Sequence, residues 1–154
     1  MAELGDLGGL YQEVILDHSR RPRNFCVLKG TGHQAEGNNP LCGDRLTVYI
    51  QLENDAIKDI CFQGTGCAIS KASASLMTES VKGKSLKEVV ELFSHFHQML
   101  TGGPDAPCDK KKLGKLTVLA GVREFPARVK CATLAWHTLN AGLEGKKEPV
   151  STEE

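Results

Sequence analysis

The stretch from Arg45 to Gln63 constrains the fold more than any other. Leu46, Val48, Ile50 and Leu52 alternate with Thr47, Tyr49 and Gln51. That period of two is expected of an antiparallel strand buried on one face. Glu53–Asn54–Asp55 supplies a turn, and Ala56 to Gln63 reads as a second strand folding back as a hairpin. Gly64–Thr65–Gly66 reads as a break, and a helix is predicted from about Cys67 to a stop at Gly83. A lone hairpin is marginal in water, so the rest of the chain must cover its apolar face.

Helical patterns supply that cover. Leu7, Leu10, Tyr11, Val14 and Ile15 recur at helical spacing, with Asp6 as N-cap, predicting a helix from Asp6 to Ser19 that Pro22 ends. The segment through Gly30–Pro40, rich in Gly and Asn, reads as loop. Ser85–Leu–Lys–Glu88 is a capping box opening a helix with Leu86, Val89, Val90 and Phe93. Thr101 to Lys112 reads as loop, followed by a short helix near Leu113 to Gly121. A last helix after Pro126 carries Cys131, Leu134, Ala135, Thr138 and Leu139 on one stripe. Strands and helices are segregated along the chain, which indicates the α+β class. With 154 residues, a single domain over 1–145 and a disordered tail over 146–154 are expected.

Charge narrows the function classes. Lys+Arg and Asp+Glu number 19 each, giving a formal net charge of zero. That argues against bulk electrostatic binding to nucleic acid or anionic membrane, although His18 to Arg23 is locally basic. No apolar run approaches the roughly 18 residues of a membrane span. The acidic start lacks the order of a signal peptide, so the expected location is cytoplasmic. Structural disulfides are rare there, and the six cysteines at 26, 42, 61, 67, 108 and 131 call for another reading.

Three of them open structural elements after a Gly or Pro break. Cys42 lies two residues after Pro40 and two before Asp44, with Gly43 between. Taken alone, it reads first as a turn closed by an Asx hydrogen bond and only second as a ligand. Cys67 opens a helix, where the N-terminus favours thiolate over thiol; a small buried residue at a helix start is the plainer account. Cys131 sits in the first turns of the last helix beside Lys130, with Arg128 three residues back; a core cysteine is the alternative. Together, three thiolates and the Asp44 carboxylate make a four-ligand set for zinc or an iron–sulfur cluster. The spacing matches no local zinc-finger pattern. Cys61 reads as a small core residue, Cys26 as a loop thiol and Cys108 as an exposed loop thiol. His95 and His97 diverge on a helix, and His18 and His33 have no requirement to approach the cysteines. There is no G-x-S-x-G, no P-loop and no zinc-deaminase pair.

Asn39–Pro–Leu–Cys–Gly–Asp44, Gly64–Thr–Gly–Cys–Ala–Ile–Ser70 and Arg123 to Trp136 together resemble the IscU/SufU family of iron–sulfur cluster assembly proteins. The resemblance spans nearly the whole domain, from Leu10 to Leu143. It implies a small antiparallel three-stranded sheet packed against several helices, a SufE/NifU-like architecture. Lys130 stands where IscU scaffolds carry His, and an extra segment separates the second and third cysteines, as in the SufU branch. The resemblance implies zinc on Cys42, Asp44, Cys67 and Cys131, with iron or [2Fe–2S] as the alternative occupant. It implies that Cys42 accepts persulfide sulfur from a SufS-type cysteine desulfurase, and that downstream iron–sulfur assembly proteins are further partners. Arg128, with Lys130, is implied in partner contact or anion handling.

Overall fold

The computed structural model describes residues 12–29, 33–40, 42–102, 110–145 and 149–151. Helix α1 covers residues 12–20; its predicted start at Asp6, together with Cys108 and most of the Thr101–Lys112 loop, lies outside the described residues. The strands β1 (His33–Asn39), β2 (Asp44–Glu53) and β3 (Ala56–Thr65) form an antiparallel meander. A short β4 (Val150–Ser151) pairs parallel with β1, giving the order β3-β2-β1-β4. The class is α+β as read, but the sheet has four strands rather than three. The expectation of a disordered tail also fails at Val150 and Ser151, which pair with Gly37 and Asn38. The reason is the open edge of β1, whose unpaired backbone groups accept another strand.

The hairpin is as predicted, with Leu46, Val48 and Ile50 buried. Asn54 and Asp55 have φ of 55° and 59°, the pair of positive values that a tight two-residue hairpin turn requires. β3 does not break at Gly64; its ladder to β2 continues, pairing Gly64 with Leu46 and Thr65 with Arg45. β1 corrects the loop reading of the Gly/Asn-rich segment. Gly37 faces the last helix so closely that a Cβ there would collide with the Thr138 hydroxyl. Its glycine signals close packing, not a turn.

Helix α2 (Ala68–Val81) is capped by Cys67, and α3 (Leu86–Thr101) has the full Ser85/Glu88 capping box. Val90 is 60% exposed, so the inward face of α3 is Val89, Leu92 and Phe96 instead. Instead of one short helix, a turn of α4 (Lys110–Leu113) leads into a 3₁₀ segment, Gly114–Glu124. Helix α5 (Pro126–Leu143) buries its predicted stripe and also Ala132 and Trp136. Trp136 stacks on Phe96 with centroids 4.8 Å apart and on Phe93 at 5.7 Å. Buried on most sides, α5 is the spine of the molecule, packed on β1, β2 and α2. Among the described residues, no helix is long and apolar enough to cross a membrane.

Cys26 and Cys61 form a disulfide, with Cα atoms 5.3 Å apart. Cys61 is buried in the core as read, but bonded rather than free, and Cys26 is not a free loop thiol. The segment after α1 is laid along β3 by Cys26 N–H to Phe62 O and by Phe62 N–H to Asn24 O, which puts residue 26 beside residue 61. His18 is a core histidine, not a metal ligand: Nδ1 lies 2.7 Å from Ser75 Oγ and Nε2 3.8 Å from Glu79.

Two expectations about stability follow from these contacts. The disulfide closes a loop of sequence separation 35, so chain entropy alone predicts that Cys26→Ser lowers unfolding free energy by about 3–4 kcal/mol. Urea unfolding with and without dithiothreitol checks this: the reductant should erase the difference. Burial, reinforced by Arg23, holds His18 below its usual 6.5. As pH falls below that value the unfolded chain takes up a proton that the folded one refuses, so stability drops. The urea midpoint should fall between neutral pH and the range below 6 (about), and less so in His18→Gln.

Candidate metal centre

The predicted ligands meet at one end of the sheet, where β1 ends, β2 begins and β3 runs out. Antiparallel register sets Asn39, the last residue of β1, opposite Asp44, the first of β2. Cys42 sits on the turn between them, its N–H bonded to Asn39 O at 3.1 Å. Gly43 has φ of +71°, a left-handed conformation that lets the chain reverse between two side chains serving one site. Thr65 pairs with Arg45 at the end of β3, so Gly66 and Cys67 arrive beside Asp44. Cys131, in the second turn of α5, closes the group from above.

The Cys42 and Cys131 sulfurs and one Asp44 carboxylate oxygen all lie within 4.8 Å of one another. The two sulfurs are 3.0 Å apart. Cys67 lies just outside this tight trio, with Sγ 3.9 Å from Asp44 Oδ2 and close enough to the Cys131 thiol to act on it directly. Asp44 also accepts the Cys67 N–H on Oδ1 at 2.8 Å, and Cys67 Sγ accepts the Ser70 N–H at 3.4 Å as the cap of α2. Asp44 and Cys131 are fully buried, while Cys42 is half-buried. Burial pushes the Cys131 thiol far above its ordinary range, and Cys42, Cys67 and Asp44 push it further.

That crowding is the chemical test of the site. Three sulfurs and a buried carboxylate cannot all carry charge at these separations without a cation. A soft divalent ion satisfies the set: thiolates suit zinc or iron, and four donors complete a tetrahedron. The residues present therefore fit a metal centre. Arg128 is exposed and Lys130 half-buried on the first turns of α5, flanking Cys131 in sequence. His97 and His137 face each other across α3 and α5 with ring centroids 6.1 Å apart, and neither is among the metal-holding group. Sequence reasoning missed Asn39, which is buried and donates from Nδ2 to Cys131 Sγ at 3.5 Å. Its only sequence signal, Asn before Pro beside the Cys42 motif, is the same signal a turn gives.

Residues 10–132 match the NifU-like N-terminal domain family. The chain belongs to that family. It is 42% identical over 141 residues to a Streptococcus pyogenes protein named iron-sulfur cluster assembly scaffold protein IscU, covering 92% of this chain and 87% of that one. It is likewise 42% identical over 138 residues to the Bacillus subtilis zinc-dependent sulfurtransferase SufU, covering 90% and 92%. A crystal structure of FiSufU from Fervidobacterium islandicum AW-1 superposes with a TM-score of 0.80 at 35% identity, covering 85% of this chain and 94% of that one. A match at equal identity to proteins named scaffold and sulfurtransferase fixes the family without choosing between those activities.

Asp44 bridges the trio and the cap of α2. Asp44→Ala should weaken zinc binding by at least about tenfold, as loss of a ligand or its oriented partner does. Competition with a chromophoric chelator measures it.

Proposed function

We propose that this chain is a zinc-dependent sulfur acceptor of iron–sulfur cluster assembly. It takes sulfur from a persulfide on a SufS-type cysteine desulfurase and passes it to downstream assembly proteins. The observation that carries the reading is the unequal burial of one thiol-rich group: Cys131 and Asp44 are fully enclosed, whereas Cys42 sits half-buried on a turn. Cys67 is half-buried too, but its N–H is held by Asp44 and its sulfur accepts the Ser70 N–H as the cap of α2, which leaves the turn thiol Cys42 placed to meet a partner. The Bacillus subtilis relative named as a zinc-dependent sulfurtransferase supports it, as does Lys130 in the position before the third cysteine.

Cys42, Asp44, Cys67 and Cys131 would hold the zinc, which when bound keeps thiols deprotonated at neutral pH. The Cys42 thiolate attacks the outer sulfur of the partner's cysteine persulfide. A new S–S bond forms on Cys42, the partner's S–S bond breaks, and its cysteine leaves as thiolate. The exchange balances without an external oxidant. Asp44, a hard oxygen donor tethered to the Cys67 N–H, stays in place throughout. Arg128, exposed beside the site, is available to the incoming protein.

A second reading is favoured by the relatives named IscU: a scaffold building a labile [2Fe–2S] cluster on the same ligands. The two differ in a direct measurement. A sulfur acceptor purifies with one zinc that iron displaces poorly, and Cys42→Ala drops the stimulated desulfurase rate to the partner's own basal level while the protein stays folded. Unchanged stimulation by Cys42→Ala, or a stable visible-absorbing cluster after anaerobic reconstitution, would overturn the acceptor reading.

A further inference from the structure

The polar residue built most tightly into the metal centre is not one of its ligands. Asn39 is fully buried at the end of β1. Its backbone carbonyl accepts the Cys42 N–H at 3.1 Å, its side-chain Nδ2 donates to Cys131 Sγ at 3.5 Å, and its strand register sets it opposite Asp44. A single residue therefore touches the turn of one ligand, the sulfur of a second and the backbone partner of a third. Its Oδ1 is buried with no hydrogen-bond partner. A buried amide is normally satisfied at both ends. One left unmet on its oxygen while its nitrogen meets a sulfur is retained for that N–H. Pro40 follows directly and restricts Asn39 to extended backbone, which keeps the amide aimed across the strand toward α5.

We infer that Asn39 is a positioning residue of the metal centre, whose amide N–H fixes the Cys131 sulfur and draws off part of its charge. The inference rests on the reading of Cys42, Asp44, Cys67 and Cys131 as metal ligands. A hydrogen bond to a sulfur ligand orients it and reduces its electron donation to the metal. Cys131 needs such support more than the others. It is the most deeply buried of the three, and its sulfur neighbour at 3.0 Å, Cys42, is the one proposed to take up sulfur.

The test replaces the amide without changing its bulk. Asn39→Leu should bind zinc about 10- to 100-fold more weakly in chelator competition. With cobalt(II) in place of zinc, its sulfur-to-metal charge-transfer band should move to longer wavelength, because the sulfur donates more strongly once the N–H is gone. Asn39→Ser, which keeps a small donor, should fall between the two, and it carries the test alone if the leucine variant fails to fold. Far-UV circular dichroism confirms folding of each variant. Wild-type affinity in the variants overturns the inference, and so does weakened binding with an unshifted band, which marks a packing role only. Failure here is separable from failure of the proposed function. Wild-type metal binding in Asn39→Leu beside an inactive Cys42→Ala removes Asn39 and leaves the sulfur acceptor. A shifted cobalt band beside a fully active Cys42→Ala does the reverse.

Discussion

The close approach of α5 to β1 is the contact on which the candidate metal centre depends. Gly37 has no side chain to hold the helix off, and Thr138 and Leu134 occupy the space a Cβ would need. Two residues further along β1, on the same face, is Asn39, roughly 7 Å away in an extended strand. Three residues back along α5 from Leu134 is Cys131, about 4.5 Å nearer the helix start. The strand and helix thus bring Asn39 under Cys131 because Gly37 lies under Leu134. A side chain at residue 37 would collide with the Thr138 and Leu134 side chains, so these or α5 itself would have to shift. A second close contact, Gly142 against Ile50 and Ala35, seats the other end of the helix on the sheet.

The remaining ligands are placed by backbone rules rather than by side-chain packing. Antiparallel register puts Asn39 opposite Asp44, and a left-handed Gly43 lets the turn between them close. The β2–β3 ladder runs on through Thr65, which delivers Cys67 next to Asp44. There the Asp44 carboxylate accepts the Cys67 N–H, at the helix end where negative charge is most favoured. This gives Asp44 two roles. It stands in the candidate donor set, and it is the fastening between the sheet and α2. The disulfide from Cys26 to Cys61 fastens the far side of the same sheet, enclosing β1, the Cys42 turn, all of β2 and the start of β3 within one covalent loop.

What was legible in the sequence follows from which forces are local. The β2–β3 hairpin, the Ser85 capping box and the buried stripe of α5 were readable because strand period, cap chemistry and helical period are written in neighbouring residues. The Cys42, Asp44, Cys67 and Cys131 set was readable as a chemical inventory, though its convergence was not, since no spacing rule links residues on three different elements. β1 was unreadable as a strand because its glycine and asparagines serve tertiary contacts: Gly37 admits α5 and Asn39 meets Cys131. The local signal of those residue types is a turn, and tertiary packing overrode it. The pairing of Cys26 with Cys61 was hidden for the same reason. It depends on the segment after α1 lying along β3, which only the bonds between Asn24, Cys26 and Phe62 reveal.

Burial, which encloses Cys131, and hydrogen bonding, which ties down Cys67, then divide the labour among groups of similar chemistry. A thiol held by a helix, a sheet register and a hydrogen-bonded amide loses most of its freedom to reach another protein, and Cys131 has all three restraints. Cys67 is tied by its own backbone N–H to Asp44 and by its sulfur to Ser70 N–H. Cys42 has a turn hydrogen bond to Asn39, the Cys131 sulfur 3.0 Å from its own, and a left-handed glycine at its side, but neither a helix nor a strand holds it. A nucleophile that must approach a sulfur atom on a separate protein needs access and a short path, and Cys42 is the thiol with both. The same asymmetry explains why a carboxylate suits the fourth position. An oxygen donor anchored by a backbone N–H can stay fixed while a sulfur neighbour moves, so the site can change its contents on one side without losing its shape on the other.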